Sequence, residues 1–268
     1  MPNHVTNVLS VDQKDTAVIE ALLNEKGELD FEKIVPMPKI FQRFGGGIPF
    51  LDSVLYDEFH CFIQMRNINS PKGEKIKFVV EHVLFMGKEP VSLTKGDNTA
   101  LTESEGENLT TEFFDTVERL PEVYPKTHKV IAESSKFRDN KAALTNELVC
   151  LALTGEKDPL SWARKYWGTK WNGYDETTND DKTSITFDTA WTSPFELIKA
   201  LSKKFPTAEI SVKYADEDLG SNCGYYLMLN GEILMGENSD TDNGDWMEFA
   251  SQLKYAISYQ ELKEEWGE

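Results

Sequence analysis

Four side chains near the middle of the chain have the types and the spacing to do chemistry: Lys170, Asn172, Tyr174 and Asp188. The stretch 167–175 alternates aromatic with small or polar residues, and 185–191 is a period-2 run of β-branched and aromatic residues. The two therefore read as paired strands. In such a pair Lys170, Asn172 and Tyr174 share a face with Asp188. A cation, an amide, a phenol and a carboxylate converging there could hold an anionic or nucleotide-like ligand, with aromatic rings to stack on it. The plainer account is a cross-strand Lys–Asp pair contributing well under ~1 kcal/mol on an open surface. Trp167, Trp171 and Trp191 follow the parity of the apolar residues and are expected in the core.

No other spacing amounts to catalytic machinery, so no catalytic residue, metal ligand or cofactor is assigned. Asp216, Glu217 and Asp218 ahead of Gly220 could pair carboxylates for a metal or for acid–base work, but their composition is that of a turn between strands. The run 238–244 has its glycine one place late for a calcium loop, and Phe249 stands where the bidentate glutamate belongs. Gly45, Gly46 and Gly47 lack a following Gly-Lys-Ser/Thr and read as a hinge. The four histidines are dispersed, with no HExxH or CxxC companion.

Charge is the strongest compositional signal. The net charge of -18 would repel a phosphate backbone, and no basic stripe offsets it, so direct nucleic-acid binding is not expected. From Glu232 to the end, ten carboxylates face two lysines. Asp240, Asp242, Asp245, Glu248, Glu261, Glu264 and Glu265 are the candidate contacts for a partner protein with a basic surface. The alternative is a solvated helix face that keeps the protein soluble. Charges interrupt every apolar stretch, as Glu81 and His82 do, so no membrane span is expected. The first residues have no basic start or apolar middle, which makes the cytoplasm the default location. Three scattered cysteines, Cys61, Cys150 and Cys223, suit reduced, buried thiols.

The elements that must position these residues follow from periodicity. Residues 4–11 alternate as a strand, and a helix over Val18, Ile19, Leu22 and Leu23 stops at Gly27. Ser193-Pro194-Phe195-Glu196 reads as a capping box with proline at the first helical position, and it opens a helix that Pro206 ends. Strands at 208–214 and 223–230 follow, the latter closed by Asn230-Gly231, with 233–235 as a possible partner. One amphipathic helix covers 245–266, with Trp246, Phe249, Leu253, Ala256 and Ile257 as its buried stripe. This order is βαββαβ, an α+β ferredoxin-like antiparallel sheet with a large, mainly helical insertion, an added strand and a C-terminal helix. The domain is expected from 1–38 and 162–268, with 39–161 inserted. Within the insertion, 51–62 and 140–153 have helical spacing, 76–86 is ambiguous, and 95–108 reads as a loop.

Asn3-His4-Val5-Thr6-Asn7, Ile34-Val35-Pro36-Met37-Pro38, Trp167-Gly168-Thr169-Lys170-Trp171-Asn172, Phe187-Asp188-Thr189-Ala190-Trp191 and Cys223-Gly224-Tyr225 together resemble the YubB-type family. The resemblance covers the first forty residues and roughly 162–229. It implies a ferredoxin-like domain, a phage or plasmid source and no established activity. With the charge, it leads to the expectation of a non-enzymatic acidic binding protein that acts on a bacterial host protein by occupying a surface meant for nucleic acid. Such a role would be anti-defence or host-modulating. The alternative is a small-ligand, nucleotide-like binder or enzyme built on Lys170, Asn172, Tyr174 and Asp188.

Overall fold

Alternation along His4–Ser10 (β1) sets the centre of the sheet: Val5, Asn7 and Leu9 are buried, while the residues between them are half-exposed. The computed structural model describes residues 3–43, 58–59, 62, 102–133, 135–240 and 245–267. The chain forms two compact units, one of Met1–Met37 with Ala163–Glu268 and the other of Pro38–Trp162. β1 leads into α1 (Ala17–Ala21). The second unit holds α2 (Ile40–Arg43), α3 (Glu103–Arg119), α4 (Pro125–Glu133) and α5 (Ser135–Thr154), and α6 (Pro159–Tyr166) spans the boundary in sequence. Then come β2 (Tyr174–Thr178), β3 (Ser184–Ala190), α7 (Phe195–Lys204), β4 (Ile210–Asp216), β5 (Gly224–Leu229), β6 (Glu232–Asn238), α8 (Trp246–Tyr255) and α9 (Tyr259–Trp266).

The strands form one sheet in the order β2-β3-β1-β4-β5-β6, every neighbouring pair antiparallel. Its first four strands have the ferredoxin-like arrangement, and the β5–β6 hairpin extends it beyond β4. Asn230 and Gly231 turn that hairpin at φ 50° and 79°, the left-handed pair that an Asn-Gly turn supplies. Ile185, Phe187, Ile210, Val212 and Met228 join Val5 and Leu9 on the face whose core also takes Val18 and Ile19 of α1 and Leu197, Ile198 and Leu201 of α7. On the opposite face α8 packs on β4, where Trp246 and Ala250 meet Ala215 and Cys223. The last helical segment thus covers part of the polar face. No helix among the described residues is long and apolar enough to cross a membrane.

Four expectations need correction. Residues 167–173 are not a strand. Trp167 and Gly168 donate their N–H groups back to Ala163 to close α6, Gly168 takes φ +84°, and the first strand of the hairpin begins only at Tyr174. Strand parity therefore cannot place Lys170, Trp171 or Asn172. The C-terminal helix is two: Ala256 takes φ 60° and Ser258 opens α9 with a capping box to Glu261. Ser193 does not cap α7, whose N-cap is Pro194 with no side-chain hydrogen bond. Residues 103–108 are helical, because Thr102 and Glu105 form a capping box at the start of α3.

In the second unit, α3 packs on α5, and Phe59, Phe62, Phe113 and Tyr124 make ring contacts 5.1–6.5 Å apart. The Glu58 carboxylate accepts from the N–H groups of Lys126 and Thr127 at the start of α4. The hinge expected at 45–47 and the ambiguous run 76–86 lie outside the described residues, as does Cys61. Burial pushes the Cys150 thiol up to about 12 and the Cys223 thiol above its ordinary value, as suits inert core cysteines.

Candidate functional site

Register brings two of the expected residues together: Tyr174 on β2 is the cross-strand partner of Asp188 on β3. The Thr6 hydroxyl donates to Asp188 Oδ1 at 2.7 Å from the neighbouring β1, and Tyr174 Oη and His4 Nδ1 share a hydrogen bond of 2.8 Å. The cation that bonds to this cluster is Lys254, which comes from α8. Its Nζ donates to Thr6 Oγ1 at 3.0 Å and to the His4 carbonyl at 3.1 Å. Burial lowers the Lys254 pKa from its ordinary value, while Asp188, Asp216 and Glu217 pull it back up. Burial, and then the Asp188 charge, raises Tyr174 and keeps it a neutral phenol. The cluster ties α8 to the sheet.

Lys170 and Asn172 serve elsewhere. Asn172 is a clamp: its Oδ1 accepts from Phe31 N at 2.8 Å and its Nδ2 donates to the Leu29 carbonyl at 2.7 Å. Lys170 Nζ sits 4.9 Å from the Trp191 ring centroid and 5.6 Å from that of Trp171, within cation–π range of both. Trp167 is buried as expected, with its indole N–H on the Val35 carbonyl. Trp171 and Trp191 are not in the core, each being 43% exposed. Trp191 leaves strand geometry after Ala190, at φ 72°, and Asn222 Nδ2 holds its carbonyl at 2.9 Å. Beside it a cavity of about 450 Å3 is lined by Arg164, Lys170 and Trp191, with Gly168, Thr169 and Thr192 on its floor and walls.

The carboxylates after Glu232 divide by role. Asp245 accepts from Glu248 N at the start of α8, Glu261 caps α9, and Glu248 accepts from both Gln252 and Tyr259 N, joining the two helices. Glu264 accepts from Gln260, and Asp240 and Glu265 are exposed. Asp242 lies outside the described residues. Asp216, from the DED run, is buried and gathers Asn3, Asn222 and Asp218 N, which makes it the organiser of a turn. Periodicity overlooked Lys254, although it falls four residues after Ala250 on the stripe of Trp246 and Ala250, a cation on an otherwise apolar face.

Sheet order and the face around Tyr174, Asp188 and Lys254 define a ferredoxin-like domain extended by a hairpin and two helices. Residues 170–255 match the family described as the ferredoxin-like domain in Api92-like protein. That match runs from β2 through α8 and leaves β1, the strand between β3 and β4, outside it. A crystal structure of a protein Api92 from Yersinia pseudotuberculosis is similar at 14% identity, covering 89% of this chain and 98% of that one, with a TM-score of 0.36. No curated protein matches the chain significantly.

Proposed function

We propose that this chain works by binding, and that it captures a protein segment with an apolar centre and basic flanks along the outer edge of β6. The observation that carries this is the edge itself. Ile233, Leu234 and Met235 are 52%, 53% and 57% exposed, and no described strand lies beyond β6. A register shift opposite 227–228 puts three apolar residues in sequence outside the core, bracketed by Glu232 and Glu237. An uncovered apolar edge is a hazard unless a partner adds a strand to it, and the carboxylates beside it favour basic flanks on that partner. On this reading the chain is a phage or plasmid product in the cytoplasm of a bacterial host, and its target is a host protein whose basic surface otherwise meets nucleic acid.

The test is capture of partners on the full chain from host lysate, followed by titration of the purified partner. The expected result is that Leu234→Lys with Met235→Lys weakens binding at least tenfold and that raised salt weakens the natural pair. Unchanged affinity in that variant, or self-association of the chain through β6 seen by sedimentation, overturns the reading.

A second reading has its own observation, Lys170 between two half-exposed indoles beside Arg164. That arrangement suits a nucleotide, with the base stacked on Trp191 or Trp171 and the phosphate on Lys170 and Arg164. A mononucleotide at ~100 times its dissociation constant should stabilise the chain by about 2.7 kcal/mol. Absence of a thermal shift, or a shift kept in Lys170→Ala, removes this site.

A further inference from the structure

The α7 face of β6 has a gap in it. Ile233, Gly236 and Asn238 pair with Met228, Tyr226 and Gly224 of β5, so all three lie on the face of the sheet that takes α7. A Cβ on Gly236 would come within 2.8 Å of the Tyr225 carbonyl oxygen and 2.9 Å of Tyr226 Cβ, so β6 presses on β5 there and leaves no room for a side chain. The gap opens into a cavity of about 480 Å3 between the start of α7 and the β5–β6 hairpin. Tyr226 lines it, and because its hydroxyl is buried against Ser193, what it offers the cavity is its ring. Phe195 and Tyr214 flank that ring, with centroids 5.4 and 6.4 Å from its own.

A strand added outside β6 would run about 4.8 Å from it. Its residue opposite Gly236 points to the α7 face, meets no side chain on β6, and lies across the gap onto the rings of Tyr226 and Phe195. The walls state what that residue should be. Aromatic faces attract a cation. Glu196 is exposed on the first turn of α7 at the border of the cavity, and neither lysine nor arginine lines it. A planar guanidinium can stack on a ring and pair with a carboxylate at the same time, which favours arginine over lysine. We infer that the segment captured at β6 seats an arginine opposite Gly236, its stem on Tyr226 and Phe195 and its guanidinium on Glu196. This inference rests on strand capture at the β6 edge and deepens it, since one arginine beside the apolar centre then decides which segments are taken.

The experiment measures, by fluorescence anisotropy, binding to the full chain of capped peptides with outer lysines and a Val-Ile-Val centre. The residue on each side of the centre is arginine in one peptide and citrulline in the other, which keeps the shape of arginine without its charge. The arginine peptide should bind roughly tenfold more tightly than the citrulline peptide. Glu196 lies on α7 and not on the edge strand, so Glu196→Gln should cut that advantage roughly threefold or more while leaving the citrulline peptide unchanged. Both peptides should lose binding in the Leu234→Lys, Met235→Lys variant. Equal binding of the two peptides, or an arginine advantage kept in full by Glu196→Gln, overturns the arginine seat, and strand capture stands if the edge variant still abolishes binding. No binding of either peptide, or binding that the edge variant leaves intact, overturns strand capture and the seat with it.

Discussion

Phe31→Ala is expected to remove roughly 3–5 kcal/mol of stability, the range for emptying a buried phenylalanine site. Phe31 is fully buried, and its ring meets those of Trp167 and Phe187 edge-on at 5.7 and 5.9 Å. It therefore joins the segment after α6 to the central sheet. The surroundings are too tight to collapse into the hole cheaply. A Cβ placed on Gly173 would come within 2.5 Å of Leu29 Cδ2 and 3.1 Å of Phe31 Cζ, so backbone already presses on this ring. The backbone of Phe31 is also held by Asn172 Oδ1, so loss of the side chain loosens 167–173, the segment that carries Lys170 and Trp171. Urea unfolding followed by near-ultraviolet circular dichroism measures the loss. Phe31→Leu, which refills most of the volume, should recover the larger part of it. A Phe31→Ala protein within about 1 kcal/mol of the natural chain would show that this contact is not the anchor, given the cost of such cavities.

The ferredoxin-like order is legible in the sequence because β1, β3, β4 and β5 alternate cleanly, and because Asn230-Gly231 announces its own turn. Val5, Leu9, Ile185, Phe187, Ile210 and Val212 all lie on the expected face. The same reasoning fails between Trp167 and Gly173, where alternation of residue types is present but the backbone is not extended. Local hydrogen bonds decide there: Gly168 closes a helix, Thr169 donates to the Ala190 carbonyl, and Asn172 clamps 29–31. A period-2 pattern cannot register such choices, so it places Trp171 and Lys170 on strand faces that do not exist for them. Trp191 fails for a related reason, since strand parity ends with the strand. The polar cluster was half legible. Tyr174 and Asp188 follow from register, whereas Lys254 reaches Thr6 from more than 200 positions away in sequence, a contact set by how α8 lies on β4.

Asp216→Ala should cost roughly 2–4 kcal/mol, since buried donors that lose a charged acceptor forfeit about 1–3 kcal/mol each, softened where water can reach them. The Asp216 carboxylate is buried and accepts from Asn3 Nδ2 at 3.1 Å, Asp218 N at 3.0 Å and Asn222 Nδ2 at 2.7 Å. Its two oxygens divide this work, Oδ1 serving Asn3 and Asp218 and Oδ2 serving Asn222. Asp216→Asn can keep the Oδ1 pair but must point an amide N–H at the Asn222 amide, so it should fall between the natural chain and the alanine variant. Asn222 also donates to the Trp191 carbonyl, and Trp191 is held at φ 72° with its ring half-exposed over Lys170. The carboxylate thus fixes the turn, the turn fixes Asn222, and Asn222 fixes the exposed indole. Removing Asp216 should therefore shift the Trp191 indole N–H resonance as well as the unfolding midpoint, and Asn222→Ala should shift that resonance with a smaller loss of stability. An alanine variant at 216 that unfolds with the natural chain, or one that leaves the Trp191 resonance in place, would break this chain of contacts at its first link.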